Sequence, residues 1–222
     1  MKKLTNISEL PNILLINQAT GDQENATIEL LTAAHKDQIL EAHEWKLKTM
    51  PDPSQLFPAS AEELDEWLNP ETNNINLGVF NQHQELVCYK VFTHPGQDSE
   101  DNLGLSLNQS TYGNIDLNDV FHAELTFVAN NYTGNQLQYL TNLIALTHTF
   151  QLGFAKWVMA TTHPDNGASK HNLTKSGIPV IYPKVEKSYG VRDIHGAQIT
   201  KEFSIATQDK LVKQLNKYSK NN

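Results

Sequence analysis

Apolar residues in the first part of the chain recur at spacings that predict one strand and two helices. The run at 28–31 predicts the strand, and from 35 to 50 apolar side chains recur every three or four residues until Pro51 ends the pattern. Ser60 and Glu63 have the spacing of a capping box, in which each side chain accepts a hydrogen bond from the other residue's backbone N–H. A short second helix is therefore predicted as far as residue 68.

The middle of the chain predicts a hairpin, a long connection and another strand. Two apolar runs, at 75–80 and 86–93, are separated by five polar residues, which is the pattern of a β-hairpin. Residues 94–118 are rich in Gly, Asp, Asn and Ser and predict a long loop, and loops of this length are commonly functional or disordered. A strand at 120–129 follows.

The second half predicts helices and strands in alternation. A helix ends at Gly153, a strand occupies 157–162, a second helix ends at Gly177, and further strands lie within 179–206. The complete order, β-α-α-β-β-β-α-β-α-β-β, is typical of an α/β protein with a mixed sheet.

The length of 222 residues suits one domain with a short segment at each end. Residues 1–26 are polar with turn signals at Pro11 and Gly21, so they predict an N-terminal extension. Lysines recur at helical spacing in 208–222 and predict a basic C-terminal tail with a solvated helix face. The domain itself is expected at 27–207.

Composition and charge exclude several classes of protein. A formal net charge of -8 argues against a nucleic-acid binder, which needs basic residues to neutralise phosphates. No apolar run approaches the roughly 20 residues that span a bilayer, and the cluster at 13–16 is too short for the core of an export signal. We therefore expect a cytoplasmic protein, monomeric or homodimeric, with no membrane partner. The single cysteine, Cys88, is expected in the core, and no metal site is predicted.

Two motifs follow the strand at 120–129. Residues 128–138 read Val-Ala-Asn-Asn-Tyr-Thr-Gly-Asn-Gln-Leu-Gln, in which the strand leads through a glycine-containing loop directly into a helix. A helix N-terminus presents unpaired N–H groups and partial positive charge, which suits a pyrophosphate. A second block at 162–169 is followed by Gly177, eleven residues after Asn166. In these motifs the chain resembles the GNAT superfamily of acyl-CoA N-acyltransferases.

The resemblance implies a mixed central sheet with helices on both faces, whose strands at 120–129 and 157–162 run parallel and splay to admit acetyl-CoA. It implies transfer of an acetyl group from acetyl-CoA to a primary amine of a small molecule, by direct attack in a ternary complex. An alternative is a protein of this type that binds coenzyme A or a protein partner without efficient transfer. It is suggested by Thr133 and Gln136, which replace an Arg or Gln and a Gly, and by Leu173, which stands where many members have a tyrosine acid.

The resemblance also implies which residues contact the cofactor. The backbone of Phe127 and Val128 would hold the pantetheine amide and polarise the thioester carbonyl. The phosphate cradle would be formed by Thr133, Gly134, Asn135, Gln136, Leu137 and Gln138. Asn166 and Ser169 would contact the cofactor arm at the second turn, although Asn166 suits the role of a helix N-cap equally well.

Glu124 and His122 are the candidate catalytic residues. With strict strand alternation they share one face with Thr126, while Ala123 and Leu125 lie on the other. A strand glutamate at this level in the family often takes the acceptor's ammonium proton through water, because only a neutral amine attacks a thioester. For Glu124 the competing interpretation is a surface carboxylate or a structural ion pair.

Charge is concentrated in the region from 52 to 131, which contains thirteen acidic residues and one lysine, Lys90. In the resembled fold this region borders the acceptor side, so it predicts a cationic acceptor amine. Plain solubility is the alternative. Tyr182 and Tyr189 are candidates either for the acceptor pocket or for the packed face of a sheet.

Overall fold

The computed structural model describes residues 7, 10–108, 115–153 and 155–219. Within these residues one mixed sheet contains eight strands: β1 (Ile13–Ile16), β2 (Gln23–Leu30), β3 (Ile75–Asn81), β4 (Leu86–Thr93), β5 (Val120–Val128), β6 (Trp157–Thr162), β7 (Val180–Lys187) and β8 (Gly190–Gln198). The α-helices are α1 (Lys36–Thr49), α2 (Ala61–Trp67), α3 (Gly104–Asn108), α4 (Leu137–Leu152), α5 (Gly167–Ser176) and α6 (Lys201–Ser219).

The strands lie in the order β1-β2-β3-β4-β5-β6-β8-β7, and every neighbouring pair is antiparallel except β5 and β6. One apolar cluster packs α4 and α6 on one face of the sheet, and a second cluster packs α1 and α2 on the other. The predicted α/β class, with a mixed sheet, a parallel pair and helices on both faces, is confirmed.

Helix boundaries follow the capping signals in the sequence. The Ser60 hydroxyl accepts from the Glu63 N–H at 3.1 Å, and the Glu63 carboxylate accepts from the Ser60 N–H at 2.7 Å, so the predicted capping box begins α2. Gly153 and Gly177 end α4 and α5 with φ of 78° and 103°, in the left-handed region that glycine adopts at little cost.

A β-bulge interrupts β5 at Glu124. In the pairing with β4, Val91 lies opposite Leu125 and Phe92 opposite Ala123, so Glu124 has no partner. The extra residue shifts the alternation of side chains by one position. The predicted strict alternation along this strand is therefore wrong: Ala123 packs in the cluster on the α4 side, and Leu125 packs in the cluster on the α1 and α2 side.

Both chain ends contribute more to the sheet and its core than the sequence suggests. β1 lies within the predicted extension at 1–26 and pairs with β2 from Ile13–Ala26 to Ile16–Gln23. α6 continues through 208–219, and its Leu211, Leu215 and Tyr218 side chains are buried in the cluster that includes α4. These three residues recur at helical spacing on the face opposite the lysines, a pattern that indicates an amphipathic helix with one buried face. The prediction of a basic tail rests on the lysines alone.

The parallel pairing of β5 with β6 is short. It joins Val120 to Trp157, Phe121 to Val158 and His122 to Met159, and there it ends. Beyond these three pairs the two strands are no longer bonded to each other, which leaves an opening in the sheet. Within the described residues no helix combines the length and hydropathy needed to cross a bilayer.

The packing of α6 predicts a clear contrast between two apolar truncations. Leu211 is 1% exposed, so Leu211→Ala should lower the free energy of unfolding by about 2 to 5 kcal/mol. Ile205, on the same helix, is 53% exposed, so Ile205→Ala should change it by less than about 0.5 kcal/mol. Urea denaturation measures both. Equal effects would show that α6 does not belong to the cooperative core.

Candidate active site

A cleft of about 450 Å³ opens where β5 and β6 part. Its lining comes from both faces of the sheet, since it includes side chains of α2, β4, β5 and β6 as well as of α4 and α5. Among the predicted site residues, the cleft brings together His122, Glu124, Gln138, Asn166 and Ser169. It therefore joins the two candidate catalytic residues to three of the predicted cofactor contacts.

The side chains of His122 and Glu124 are hydrogen-bonded to each other where the parallel pairing of β5 and β6 ends. The Nδ1 atom of His122 lies 2.9 Å from Oε1 of Glu124, and its Nε2 atom accepts the backbone N–H of Leu103 at 3.0 Å. An imidazole nitrogen that accepts an N–H bears no proton, so the geometry assigns a ring proton to Nδ1, where it is donated to Glu124. This arrangement makes His122 a group that positions Glu124.

Glu124 remains ionised at neutral pH. Burial raises the pKa of this carboxyl, but the hydrogen bond from His122, a 3.2 Å bond from the Thr93 hydroxyl and the charge of Lys90 outweigh burial and leave the pKa below its ordinary value. The side chain is 36% exposed, because its carboxylate is surrounded by protein but open to water in the cleft. A carboxylate in this state can bind a cation or accept a proton through water.

A polar cluster joins the starts of α4 and α5 on the opposite side of the cleft. The side-chain amide of Gln138 donates to the Ser169 hydroxyl at 3.0 Å and accepts from the Asn172 amide at 3.0 Å. Asn166 is the N-cap of α5, since its Oδ1 atom accepts the Ser169 N–H at 3.0 Å. The helix starts are thus held together by neutral amide and hydroxyl groups that are exposed to the cleft.

The N-terminus of α4 lies beside a lysine side chain. Its N-cap, Gln136, has φ of 58° and makes no side-chain cap, so the first N–H groups of the helix are not capped by that residue. The Gln136 side chain instead accepts from the Lys175 ammonium at 2.8 Å, and Lys175 lies 4.2 Å from the centre of the Tyr139 ring. The helix dipole and the Lys175 ammonium together favour a negatively charged group at the start of α4.

The loop before α4 is fixed by other parts of the chain. The Asn135 side chain accepts from the Ile16 N–H and donates to the Ile16 carbonyl, both at 2.8 Å. The backbone carbonyl of Asn135 accepts from the Tyr218 hydroxyl. The Thr133 hydroxyl is bonded to the Asn130 carbonyl. Five of the predicted phosphate-cradle residues are not among those that line the cleft: Thr133, Gly134, Asn135, Gln136 and Leu137.

Phe127 and Val128 are not among the residues that line the cleft. The Phe127 ring is buried and stacked on Tyr89, with ring centres 5.3 Å apart. The Ala129 N–H donates to the Val87 carbonyl at 2.9 Å in the direction of β4. Because N–H direction alternates along an extended chain, the Val128 N–H points away from β4, on the edge of β5 where the Val128 carbonyl accepts from the Lys46 ammonium at 3.3 Å.

Several lining residues were not singled out from the sequence. Lys90 of β4 and Arg192 of β8 both line the cleft, and Arg192 lies 5.0 Å from the ring centre of Tyr189, which lines the cleft as one of its two sequence-based interpretations expects. A lysine within the apolar run of β4 was the available signal, because lysine is almost never fully buried without a partner. Arg192 lies far from the cleft motifs in sequence, and the pairing of β8 with β6 brings it there.

Cysteine and metal chemistry find no support in the described part of the chain. Cys88 is fully buried, and burial raises the pKa of its thiol to about 12, which confirms its place in the core. The described residues hold no group of three or more His, Cys, Asp or Glu side chains placed to bind a metal ion.

Solved structures of acetyltransferases have the same fold as this chain. An acetyltransferase of the GNAT family from Streptococcus pneumoniae is 15% identical, with a TM-score of 0.56 and coverage of 78% of this chain and 99% of its own. An aminoglycoside acetyltransferase in complex with coenzyme A is 12% identical, with a TM-score of 0.58 and coverage of 82% and 99%. An uncharacterized protein from Bacillus halodurans is 14% identical, with a TM-score of 0.56 and coverage of 96% and 98%.

No protein-family model matches the chain, and no curated protein sequence matches it. At these identities the structural likeness shows the fold alone. The chain has the GNAT acetyltransferase fold, and the resemblance carried by its two motifs is confirmed at that level.

The state of Glu124 predicts a pH-dependent effect of Glu124→Gln on stability. A carboxyl whose pKa is lowered by folding contributes stability above its unfolded pKa, near the ordinary value of 4.5, and loses that contribution as the pH falls through the folded pKa. The difference in unfolding free energy between parent and variant should therefore shrink as the pH falls below about 4.5. Denaturation at a series of pH values measures it, and a difference that grows on acidification would contradict the assignment.

Proposed function

We propose that this chain is an acyl-CoA-dependent N-acetyltransferase that moves an acetyl group from acetyl-CoA to a primary amine of a small molecule by direct attack in a ternary complex. The observation that carries the proposal is the cleft through the parted strands β5 and β6. It has the Glu124 carboxylate at one side and the Gln138, Asn166 and Ser169 cluster at the other.

The residues at the start of α4 suit coenzyme A. Uncapped helix N–H groups and the Lys175 ammonium match a pyrophosphate, and the amide and hydroxyl groups of Gln138 and Ser169 match the amide-rich pantetheine arm. Gly134 has φ of 85°, and a Cβ there would approach only the Gln18 side chain, at 3.8 Å, so the loop is open on its outer side. Bound acetyl-CoA would supply the acetyl group as a thioester.

The Val128 backbone N–H and the Glu124 carboxylate would have separate roles in the transfer. The Val128 N–H, directed away from β4, would donate a hydrogen bond to the thioester oxygen as it gains negative charge, a contribution worth about 3 to 4 kcal/mol in comparable sites. Glu124 would hold the acceptor's ammonium group and take its proton through water, since only the free amine attacks. His122 would keep the carboxylate aimed by donating from Nδ1.

The charge of the acceptor side favours a cationic amine. Glu63, Glu66 and Asp101 line the cleft together with Glu124, against Arg192 on the same side of the sheet. Carboxylates concentrated in a cleft attract cations and repel anions. We propose a polyamine-like, amino-sugar or lysine-like acceptor.

A second candidate function is binding of coenzyme A or a protein partner without efficient transfer. The observation that favours it is Leu173, which lines the cleft at the position where the resembled family often has a tyrosine acid. Release of free thiol separates the two functions, because a binding protein would retain the cofactor without cleaving it.

The transferase proposal predicts that the chain releases coenzyme A from acetyl-CoA only when a suitable amine is present. Glu124→Gln should lower kcat by about 100-fold to 10,000-fold, because the general base is lost, with little change in cofactor affinity. Glu71→Gln, an exposed carboxylate outside the cleft, is the matched control and should leave kcat unchanged. Cofactor binding with no thiol release across a broad amine panel would favour the binding protein instead.

The acidic cleft predicts a salt-dependent reaction. For a cationic amine kcat/KM should fall as ionic strength rises, because the Debye length shrinks from about 30 Å at 0.01 M to about 8 Å at 0.15 M. Glu66→Gln should flatten this dependence, and Glu71→Gln should not. A salt-independent kcat/KM, or a preference for acidic amino acids as acceptors, would contradict a cationic acceptor.

A further inference from the structure

Lys90 is a buried lysine that neither the acceptor nor the cofactor proposal uses. It lies in the middle of β4 and is 2% exposed, yet its side chain lines the cleft. Its Nζ atom donates to the Thr126 hydroxyl at 2.8 Å and lies 5.0 Å from the centre of the Phe92 ring. An ammonium has three N–H donors, and among the described residues Thr126 is the hydrogen-bond acceptor that Nζ has.

Lys90 faces the α4 side of the sheet, because Cys88 and Phe92, two positions before and after it on β4, pack in the cluster on that side. The bulge at Glu124 brings Thr126 of β5 to the same side, where its hydroxyl accepts from Nζ. Gln138, Ser169 and Leu173, which also line the cleft, belong to the helices α4 and α5. Lys90 is therefore on the cofactor side, while Glu124 and the acidic residues are on the acceptor side.

We propose that Lys90 is the general acid that protonates the thiolate of coenzyme A, in the role for which no tyrosine is present at Leu173. The inference rests on the proposed transferase function. As the amine nitrogen forms its bond to the acetyl carbon, the carbon–sulfur bond breaks and its electron pair stays on sulfur. A proton moves from Nζ of Lys90 to that sulfur, which leaves coenzyme A as the thiol and Lys90 as the neutral amine. The proton of the acceptor leaves by way of Glu124 and water, and Lys90 regains one from solvent.

The acidity of Lys90 suits this transfer. Burial lowers its pKa to about 7, although the charge of Glu124 opposes the shift. An ordinary lysine, with a pKa near 10.4, binds its proton more strongly than does the thiolate of a thiol with a pKa of about 8.5. With the lower value the proton moves downhill to sulfur, and a substantial fraction of the enzyme still carries it at neutral pH.

Lys90→Met tests the proposal, because it removes the amine, keeps the length of the side chain and replaces a buried polar group by an apolar one. With acetyl-CoA its kcat should fall by about 100-fold or more. With an acetyl thioester of a more acidic thiol, whose thiolate leaves without protonation, the deficit should largely disappear. Lys156→Met, at an exposed lysine paired with Asp119, is the control and should behave as the parent with both donors.

A second readout needs no turnover. Thiolate absorbance in the ultraviolet reports the pKa of the thiol of free coenzyme A bound to the protein. At and below about pH 7, where Lys90 still carries a proton, its charge should give more thiolate in the parent than in Lys90→Met, and Lys156→Met should match the parent. Mass spectrometry of the parent after reaction should find Lys90 unmodified, whereas an acetylated Lys90 would make it an acceptor and overturn its role as an acid.

The outcomes separate this inference from the proposed function. Suppose that the parent transfers acetyl groups, and that Lys90→Met either keeps the parent's kcat or loses the same factor in kcat with both acetyl donors. Lys90 is then not the acid, and the transferase proposal stands. If the parent binds coenzyme A without transfer, the transferase proposal fails, and the thiol pKa supports or overturns the pairing of Lys90 with sulfur. If coenzyme A does not bind, both are overturned.

Discussion

The one unpaired residue in β5 is the constraint on which the geometry of the cleft depends. At Glu124 the strand has one residue more than its neighbour β4, so the side chains on either side of the bulge face opposite ways. His122 and Glu124 thereby meet Thr93 on the acceptor side, and Thr126 meets Lys90 on the cofactor side. A regular β5 would direct His122, Glu124 and Thr126 to one face and would not place Thr126 beside Lys90 on the other.

The same strand also determines where the sheet opens. β5 bonds to β6 through only its first three residues, so the later N–H groups that face β6 are free of that partner. An unpaired backbone donor is costly in a dry interior and useful in a cleft, where a substrate oxygen can accept from it. The opening is framed by elements from the whole chain. Asn135 joins β1 and α6 to the loop that begins α4, which gives both chain ends a part in fixing the cofactor side.

The sequence predicted the fold class well, because capping residues and apolar periodicity are local signals. Ser60 with Glu63, Gly153 and Gly177 each act within one turn, and each has the predicted role. The bulge could not be predicted, because it depends on the pairing of residues more than thirty positions apart in the sequence, such as Val91 with Leu125. For this reason the strict alternation expected around Glu124 is wrong, and Lys90 was not recognised as a cleft residue.

The parts played by β1 and α6 were missed for a related reason. Polar residues and turn signals dominate the start of the chain, and lysines dominate its end, so the buried faces of both elements become visible only when they pack. The site residues were predicted from motifs, and the structure assembles Gln138, Asn166 and Ser169 with Glu124 and His122 in one cleft. Their roles in transfer remain proposals.

A crystal structure with an unreactive thioether analogue of acetyl-CoA, in which a ketone replaces the thioester, tests the central claim most directly. The account predicts that the analogue passes between β5 and β6, with its ketone oxygen within hydrogen-bond distance of the Val128 N–H and its sulfur beside the Lys90 ammonium. An analogue bound elsewhere on the chain, with the opening between the two strands unfilled, would contradict it.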